Sequence, residues 1–205
     1  RRPACDHDWI EHARTLQAEV EARLTGATIA IVNKLVLDAA TIARLPMLKM
    51  IAVAATGTNN VDLDACRARG IVVSNIRGYA VHTVPEHAIA LMLALSRNLI
   101  AYRDSVQAGR WQESEQFCFF DHPIRDLHGA TLAVIGSGSL GDGVVRLAEA
   151  FGMRVLKAER KGAAHCRPGY TPFAEALAAA DVVSLHCPLT PETQGLIGAT
   201  ELRAM

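Results

Sequence analysis

The sequence lacks three features that would each indicate a particular class of protein: an excess of one charge, a long apolar run and paired cysteines. Its 21 basic side chains are balanced by 21 acidic ones, so nucleic acids and membrane surfaces are not expected partners, because both bind clustered Lys and Arg. The longest apolar run, residues 88–95, is far shorter than the ~20 residues that cross a bilayer, and no transmembrane span is predicted. The five cysteines are scattered without a C-x-x-C pair, which disfavours a zinc or dithiol site and favours the reducing cytoplasm.

The composition is that of a folded globular protein. Of the 205 residues, 50% are hydrophobic and 20% are charged, which excludes disordered and fibrous classes, and the length suggests between one and two domains. The chain opens on Arg1-Arg2-Pro3 without a starting methionine or an apolar leader, so no export signal is indicated; the alternative is that the true N-terminus is missing. It stops at Met205 where another helix is predicted to begin, and we therefore expect a fragment.

Short runs rich in Val and Ile alternate with helix-length segments in the first part of the chain. An amphipathic helix is predicted first, because apolar residues from Trp9 to Leu24 recur at spacings of three and four. Three buried strands follow, at 28–33, 49–55 and 71–75, and the helix before the third ends near Gly70. This alternation is typical of a parallel α/β domain.

A long apolar helix is predicted to join this part to the next. Thr83-Val84-Pro85-Glu86 has the form of a capping box, and the helix that it begins is expected to continue towards Gly109. The alternation then resumes, with strands predicted at 131–136, 154–159 and 181–187. We therefore predict two doubly wound parallel α/β domains, both incomplete in this chain, over residues 1–97 and 98–205.

The segment after the fourth predicted strand carries the pattern G-x-G-x-x-G. Gly136, Gly138 and Gly141 follow an apolar strand directly and open a helix, which is the context in which this pattern binds dinucleotides. The glycines allow a tight turn and the close approach of a diphosphate, and the helix N-terminus supplies amide donors. Glu159, at the end of the next strand, is placed to bond ribose hydroxyls, whereas Arg160 and Lys161, which follow it directly, suit a 2′-phosphate. NAD is predicted, because a carboxylate repels a phosphate, and NADP is the alternative.

Six blocks of sequence together carry a specific resemblance, and they cover nearly the whole chain. They are AATGTNNVDL (54–63), VVSNIRGYAVHTVPEHAIALMLALSR (72–97), GRW (109–111), DLHGATLAVIGSGSLG (126–141), AER (158–160) and SLHCPLTPETQGLI (184–197). With these blocks the chain resembles the D-isomer-specific 2-hydroxyacid dehydrogenases, in particular the glycerate dehydrogenase (hydroxypyruvate reductase) branch. The resemblance implies a split substrate-binding domain with an inserted NAD-binding domain, an active site between the two, and a homodimer.

The same resemblance implies a reaction and a substrate site. A hydride would pass between the nicotinamide and a small 2-keto or 2-hydroxy acid, with hydroxypyruvate/D-glycerate and glyoxylate/glycolate as the leading candidates. The substrate carboxylate is expected on the backbone amides of Thr56-Gly57-Thr58, with Thr56 also near the nicotinamide; the alternative is a simple turn. Asn75, Arg77 and Gly78 are expected either to shape substrate specificity or to serve the turn alone.

Further cofactor contacts follow from the resemblance. Ser139 and Leu140 are expected to present backbone amides to the diphosphate, and Thr193 matches a family position near the cofactor. Cys187 and Pro188 are expected to line the nucleotide pocket, in preference to a catalytic or metal-binding pair of Cys187 with His186.

Two departures from the family pattern bear on the chemistry. The blocks that hold the family's catalytic Arg, Glu and His do not occur up to Met205, so no catalytic residue is assigned and the 205 residues alone are expected to be inactive. Asp142 stands directly after the glycine turn, where it is expected to point to solvent and cap the helix.

Rival classes remain open on the sequence alone. His82, Glu86 and His87 do not form H-E-x-x-H, and no metal site is predicted. The main alternative function is a corepressor-like binding protein of the same family, in which NAD drives dimerisation without turnover. A methyltransferase that uses the glycine turn is weaker, because it leaves the first α/β half unexplained.

Overall fold

A computed structural model describes residues 4–205 and divides the chain into two compact units, Arg1–Arg77 and Gly78–Met205. Each unit contains its own three-stranded parallel sheet. The opening Arg1-Arg2-Pro3, on which the expectation of no export signal rests, lies outside the described residues. The domain ranges 1–97 and 98–205 stay a prediction.

The first unit is a β-α-β-α-β arrangement whose three strands lie side by side in sequence order. Its elements are α1 (Val20–Leu24), β1 (Ile29–Val32), α2 (Ala39–Ala43), β2 (Met50–Val53), α3 (Leu63–Ala68) and β3 (Val72–Asn75). Both α2 and α3 begin at an aspartate whose carboxylate accepts a backbone N–H at 2.8 Å, Asp38 from Thr41 and Asp62 from Ala65. These caps satisfy amides that the helices cannot pair internally.

One face of this sheet forms the core of the unit, and part of the other face is open. Leu37, Ile42 and Ile51 are fully buried. Ile29 and Ile31 of β1 alternate with buried neighbours and remain more than half exposed. The period-two alternation of a strand therefore separates the two faces here.

The first predicted helix is wrong over most of its length. Helical structure begins only at Gln17, with a 3-10 turn (Gln17–Glu19) that leads into α1. The preceding segment is held by contacts elsewhere: Arg23 bonds the Arg14 carbonyl and the Thr15 hydroxyl, and the Gln17 side chain exchanges two hydrogen bonds with the backbone of Val36. These tertiary bonds override the helical spacing of the apolar residues.

The second unit contains three consecutive helices followed by a β-α-β-α-β arrangement. Its elements are α4 (Thr83–Ser96), α5 (Leu99–Gln107), α6 (Arg110–Glu113), β4 (Thr131–Ile135), α7 (Ser139–Ala150), β5 (Arg154–Ala158), α8 (Phe173–Ala178), β6 (Val182–Leu185) and α9 (Ala199–Ala204). The strand order is β5-β4-β6, so the chain reverses its direction of travel across the sheet at the fully buried β4. Such a reversal is the switch point at which parallel α/β sheets bind ligands. The prediction of an α/β fold with parallel sheets is confirmed.

Two details of the connecting helix are wrong. The capping box at Thr83 and Glu86 is not formed, because the His82 carbonyl already accepts, at 3.0 Å, the Glu86 amide that the Thr83 hydroxyl would have to bond. The helix does not continue to Gly109 either, because Asn98 adopts a left-handed conformation with φ of 49° and separates α4 from α5.

In the part of the chain that is described, no helix combines the length and the apolar character that a bilayer crossing requires.

Candidate functional site

The glycine turn lies between β4 and α7, at the switch point of the second sheet. A Cβ added to Gly136 would lie 2.5 Å from the backbone N of Cys187, and one added to Gly141 would lie 2.0 Å from the carbonyl O of Gly136. A Cβ on Gly138 would meet nothing within 4 Å. Packing therefore leaves no room for a side chain at the first and third glycines, whereas the middle one borders open space, as the pattern requires where a diphosphate approaches the backbone.

The N-terminus of α7 supplies the donors for an anion. Ser139 and Leu140 form its first turn, and their amides have no intrahelical acceptor by the geometry of an α-helix. Within residues 4–205, no side chain caps this end, because the residue at the cap position is Gly138. Amides and helix dipole together favour a bound phosphate.

Asp142 does not cap α7, in contrast to the expectation. It lies inside the first turn, and its carboxylate lies 3.3 Å from the Lys157 Nζ on β5. The prediction of a cap failed because the helix begins four residues earlier than a cap at this position would require. This ion pair balances the negative charge near the turn.

The segment after β6 forms one wall beside the turn. The backbone of His186 and Cys187 is packed against Gly136, and Pro188 follows on the surface. The Thr193 hydroxyl donates to the Pro188 carbonyl at 2.6 Å and so closes a short turn. Thr193 is thus placed to shape this loop.

His186 and Cys187 lie after the end of β6, so they are not two faces of one strand. The His186 Nε2 lies 2.8 Å from the Ser184 hydroxyl, and burial lowers the pKa of the imidazole. Among residues 4–205, no three His, Cys, Asp or Glu side chains form a group that could hold a metal ion.

Glu159 lies at the end of β5 as predicted, but its carboxylate is buried and bonded within the protein. The side chain is only 5% exposed and accepts two hydrogen bonds from the Arg167 guanidinium, at 2.6 and 2.8 Å. The backbone amides of Arg160 and Arg167 donate to the same carboxylate. These donors, the Arg167 side chain first among them, lower the pKa of Glu159 to about 2, so the group is ionised at neutral pH.

Arg167 and Tyr170 are site residues that the sequence analysis missed. The Arg167 guanidinium lies 3.9 Å from the centre of the Tyr170 ring, and the Tyr170 hydroxyl lies 2.5 Å from the Ser137 hydroxyl in the glycine turn. A chain of contacts therefore joins the turn to Glu159. The sequence pattern does not indicate these contacts, because the segment 160–171 has no regular periodicity.

The loops after β2 and β3 meet in the first unit. The Thr56 hydroxyl donates to the Ile76 carbonyl at 3.0 Å, and the Asn75 side-chain amide donates to the Thr56 carbonyl at 2.7 Å. Thr56 and Gly57 are exposed, and Thr58 is half-buried. Asn75 therefore holds the predicted carboxylate-binding loop in place.

The remaining predicted specificity residues lie where the two units divide. Arg77 is exposed at the end of the first unit, and Gly78 begins the second with a positive φ of 73°. A left-handed residue at this position favours glycine.

Solved structures agree with this geometry. A crystal structure of a Thermus thermophilus protein has a TM-score of 0.81 at 35% identity and covers 95% of this chain and 61% of its own. A D-lactate dehydrogenase from Aquifex aeolicus, complexed with NAD and lactic acid, has a TM-score of 0.78 at 31% identity; the match covers 90% of this chain and 55% of that protein. The parallel sheet and glycine turn define a Rossmann-type NAD-binding protein.

Sequence comparisons give the family. The model for the D-isomer specific 2-hydroxyacid dehydrogenase NAD binding domain matches residues 89–205. A Haemophilus influenzae protein that carries the name 2-hydroxyacid dehydrogenase is 50% identical over 205 residues, and a glycerate dehydrogenase of Methylorubrum extorquens is 46% identical over 200. These cover 100% and 97% of this chain, which spans 65% and 62% of the two relatives. The chain belongs to the D-isomer specific 2-hydroxyacid dehydrogenase family.

Proposed function

We propose that the protein transfers a hydride between a nicotinamide cofactor and a small 2-keto or 2-hydroxy acid, with hydroxypyruvate/D-glycerate or glyoxylate/glycolate as the substrate pair. The observation that carries the proposal is the geometry of the glycine turn. Packing leaves no room for a side chain at Gly136 or Gly141, whereas open space borders Gly138. Within the described chain, no side chain caps the N-terminus of α7. Relatives named glycerate dehydrogenase, hydroxypyruvate reductase and glyoxylate reductase support the substrate class.

Each part of the nucleotide-binding unit has a proposed role. The amides of Ser139 and Leu140 bind the diphosphate, and the wall formed by Cys187 and Pro188 borders the cofactor, with Thr193 fixing that wall. NAD, when bound, supplies or accepts the hydride. The protein contributes position and orientation, which convert an encounter into a reaction within one complex.

The first unit is proposed to bind the substrate carboxylate. The backbone of Thr56, Gly57 and Thr58 follows a buried strand of a parallel sheet, which is where such sheets place their ligands. Arg77 and Gly78 are proposed to contribute to substrate specificity.

A homodimer in the cytoplasm is the proposed state of the protein. Leu95, Leu99 and Ile100 on α4 and α5 are each more than half exposed, which supports a self-associating apolar surface. The zero net charge supports a partner set without nucleic acids or membranes.

The direct test measures binding and turnover separately. We expect NADH to bind saturably by nicotinamide fluorescence and to be displaced by ADP-ribose, and the full-length protein to oxidise NADH faster with hydroxypyruvate or glyoxylate than with pyruvate. An NADH-dependent dimer without any reductase activity would favour the corepressor-like alternative instead.

Asn75→Ala tests the substrate loop. Because this change removes the side-chain bond to the Thr56 carbonyl, we expect the KM of the full-length protein for the keto acid to rise about fivefold while the Kd for NADH changes less than twofold, consistent with the loss of one bond worth ~1 kcal/mol. Asn33→Ala, at an exposed asparagine after β1, is the matched control and should leave both constants unchanged. An unchanged KM in Asn75→Ala would remove this loop from the substrate site.

A further inference from the structure

The Glu159 carboxylate has no free acceptor capacity in this structure. A carboxylate offers about four lone-pair sites. One oxygen of Glu159 accepts from the Arg160 amide and the Arg167 Nη2, and the other accepts from the Arg167 amide and Nε. It therefore cannot accept bonds from the 2′- and 3′-hydroxyls of a ribose while its pair with Arg167 is intact.

The charge of Glu159 is cancelled by the same contact. The guanidinium and the carboxylate make a two-point pair, the strongest common form of ion pair in proteins. An acidic residue at this position normally selects NAD by bonding the 2′-hydroxyl and repelling a 2′-phosphate. Here the pair with Arg167 weakens both the bond to the 2′-hydroxyl and the repulsion of a 2′-phosphate.

The surface beside Glu159 carries cations. A cleft of about 430 Å³ is lined by Glu159, Arg160, Lys161, Cys166 and Glu201, together with small and apolar residues. Lys161 is paired with Glu201 at 2.7 Å. Within residues 4–205, the exposed Arg160 guanidinium has neither an ion-pair nor a hydrogen-bond partner. With Glu159 and Glu201 each paired to a cation, Arg160 is the one positive charge in excess among these side chains.

Arg167 is held more firmly than an ordinary surface residue. Its guanidinium stacks on the Tyr170 ring, and Tyr170 is bonded to Ser137 of the glycine turn. Stacking and a two-point hydrogen bond are properties of arginine that lysine does not reproduce. The Glu159–Arg167 pair is therefore linked through Tyr170 to the glycine turn.

We propose that Arg167 makes the adenosine end of this site tolerant of a 2′-phosphate, so that the protein binds NADPH as well as NADH, with Arg160 as the partner of the phosphate. The proposal rests on the dinucleotide binding set out under the proposed function. Arg167 is a positioning residue that acts through Glu159, and Arg160 contacts the ligand.

The test compares the Kd values of NADH and NADPH, with ADP-ribose and its 2′-phosphate as probes that lack the nicotinamide. For the unmodified protein we expect the two dinucleotide Kd values to agree within tenfold. Arg160→Gln is expected to raise the Kd of NADPH at least tenfold and that of NADH less than twofold. Arg146→Gln, which removes an exposed arginine of α7, is the control and should change neither.

Two substitutions in the Glu159–Arg167 pair show whether Arg167 acts through Glu159 or through its own positive charge. Arg167→Gln releases Glu159, so NADPH binding should weaken at least tenfold while NADH binding is kept or strengthened. The double variant that combines Arg167→Gln with Glu159→Gln also lacks the carboxylate charge, so NADPH binding should be restored in it. Urea unfolding identifies any variant that does not fold, and Arg160→Gln, at an exposed position, then still decides the question.

The outcomes are distinguishable. NADPH bound more than a hundredfold more weakly than NADH, or an equal effect of Arg160→Gln on both dinucleotides, would overturn this inference and leave the proposed function intact. Failure of both dinucleotides to bind would overturn the proposed function itself.

Discussion

Gly141→Ala is expected to destabilise the second unit by about 3 kcal/mol or more, at the upper end of what overpacking usually costs. The added Cβ would lie 2.0 Å from the carbonyl oxygen of Gly136 and 3.4 Å from a methyl of Val134. Backbone cannot rotate out of the way as a side chain can. Gly136 has no room to move away either, because even a Cβ added to it would lie 2.5 Å from the backbone N of Cys187.

The measurement is urea unfolding followed by far-UV circular dichroism. The midpoint for Gly141→Ala should fall well below that of the unmodified protein. Gly138→Ala is the internal comparison, since its Cβ meets nothing within 4 Å and its φ of −91° is accessible to alanine. Equal midpoints for Gly141→Ala and Gly138→Ala would contradict the packing assigned to this turn.

Gly138→Ala is expected to weaken NADH binding about a hundredfold, equivalent to roughly 2.7 kcal/mol, with a much smaller loss of stability than Gly141→Ala. The open space beside Gly138 is the place where a diphosphate would approach the backbone, and a methyl group there would occupy it. The loss of stability should be about 1 kcal/mol, because alanine is a poorer N-cap than glycine, although its Cβ would meet no atom within 4 Å here.

Gly198→Ala is the matched control for this loss of affinity. Gly198 also occupies an N-cap position, at the start of α9, and has an extended backbone like that of Gly138. Its substitution should leave the Kd of NADH unchanged. Tight NADH binding by Gly138→Ala would show that the diphosphate does not approach this turn, and the proposed function would lose its main support.

The strands and the glycine turn could be predicted from the sequence because their signals are local. The apolar runs around Ile51 and Leu132 correspond to buried strands, and the turn follows its strand without a gap. Parallel strands buried on both faces give continuous apolar runs, and a glycine pattern between strand and helix is specific in that context.

The features that were missed depend on partners far along the chain. Gln17, where helical structure begins, is bonded to the backbone of Val36. Asn98, whose side chain donates to the Pro123 carbonyl, breaks the connecting helix although its apolar pattern continues. Glu159 was placed correctly at the end of its strand, yet its partner Arg167 comes from an irregular loop. Helical or strand periodicity carries no information on such contacts, because they are set by tertiary structure.

The bond between Ser137 and Tyr170 has a consequence for how a ligand would meet this surface. A flexible glycine turn usually loses conformational entropy when a ligand orders it, and this loss reduces affinity. Here Ser137 of the turn is hydrogen-bonded to Tyr170, and Gly136 packs against the backbone that follows β6. The turn is ordered during folding, so an incoming dinucleotide encounters a rigid template.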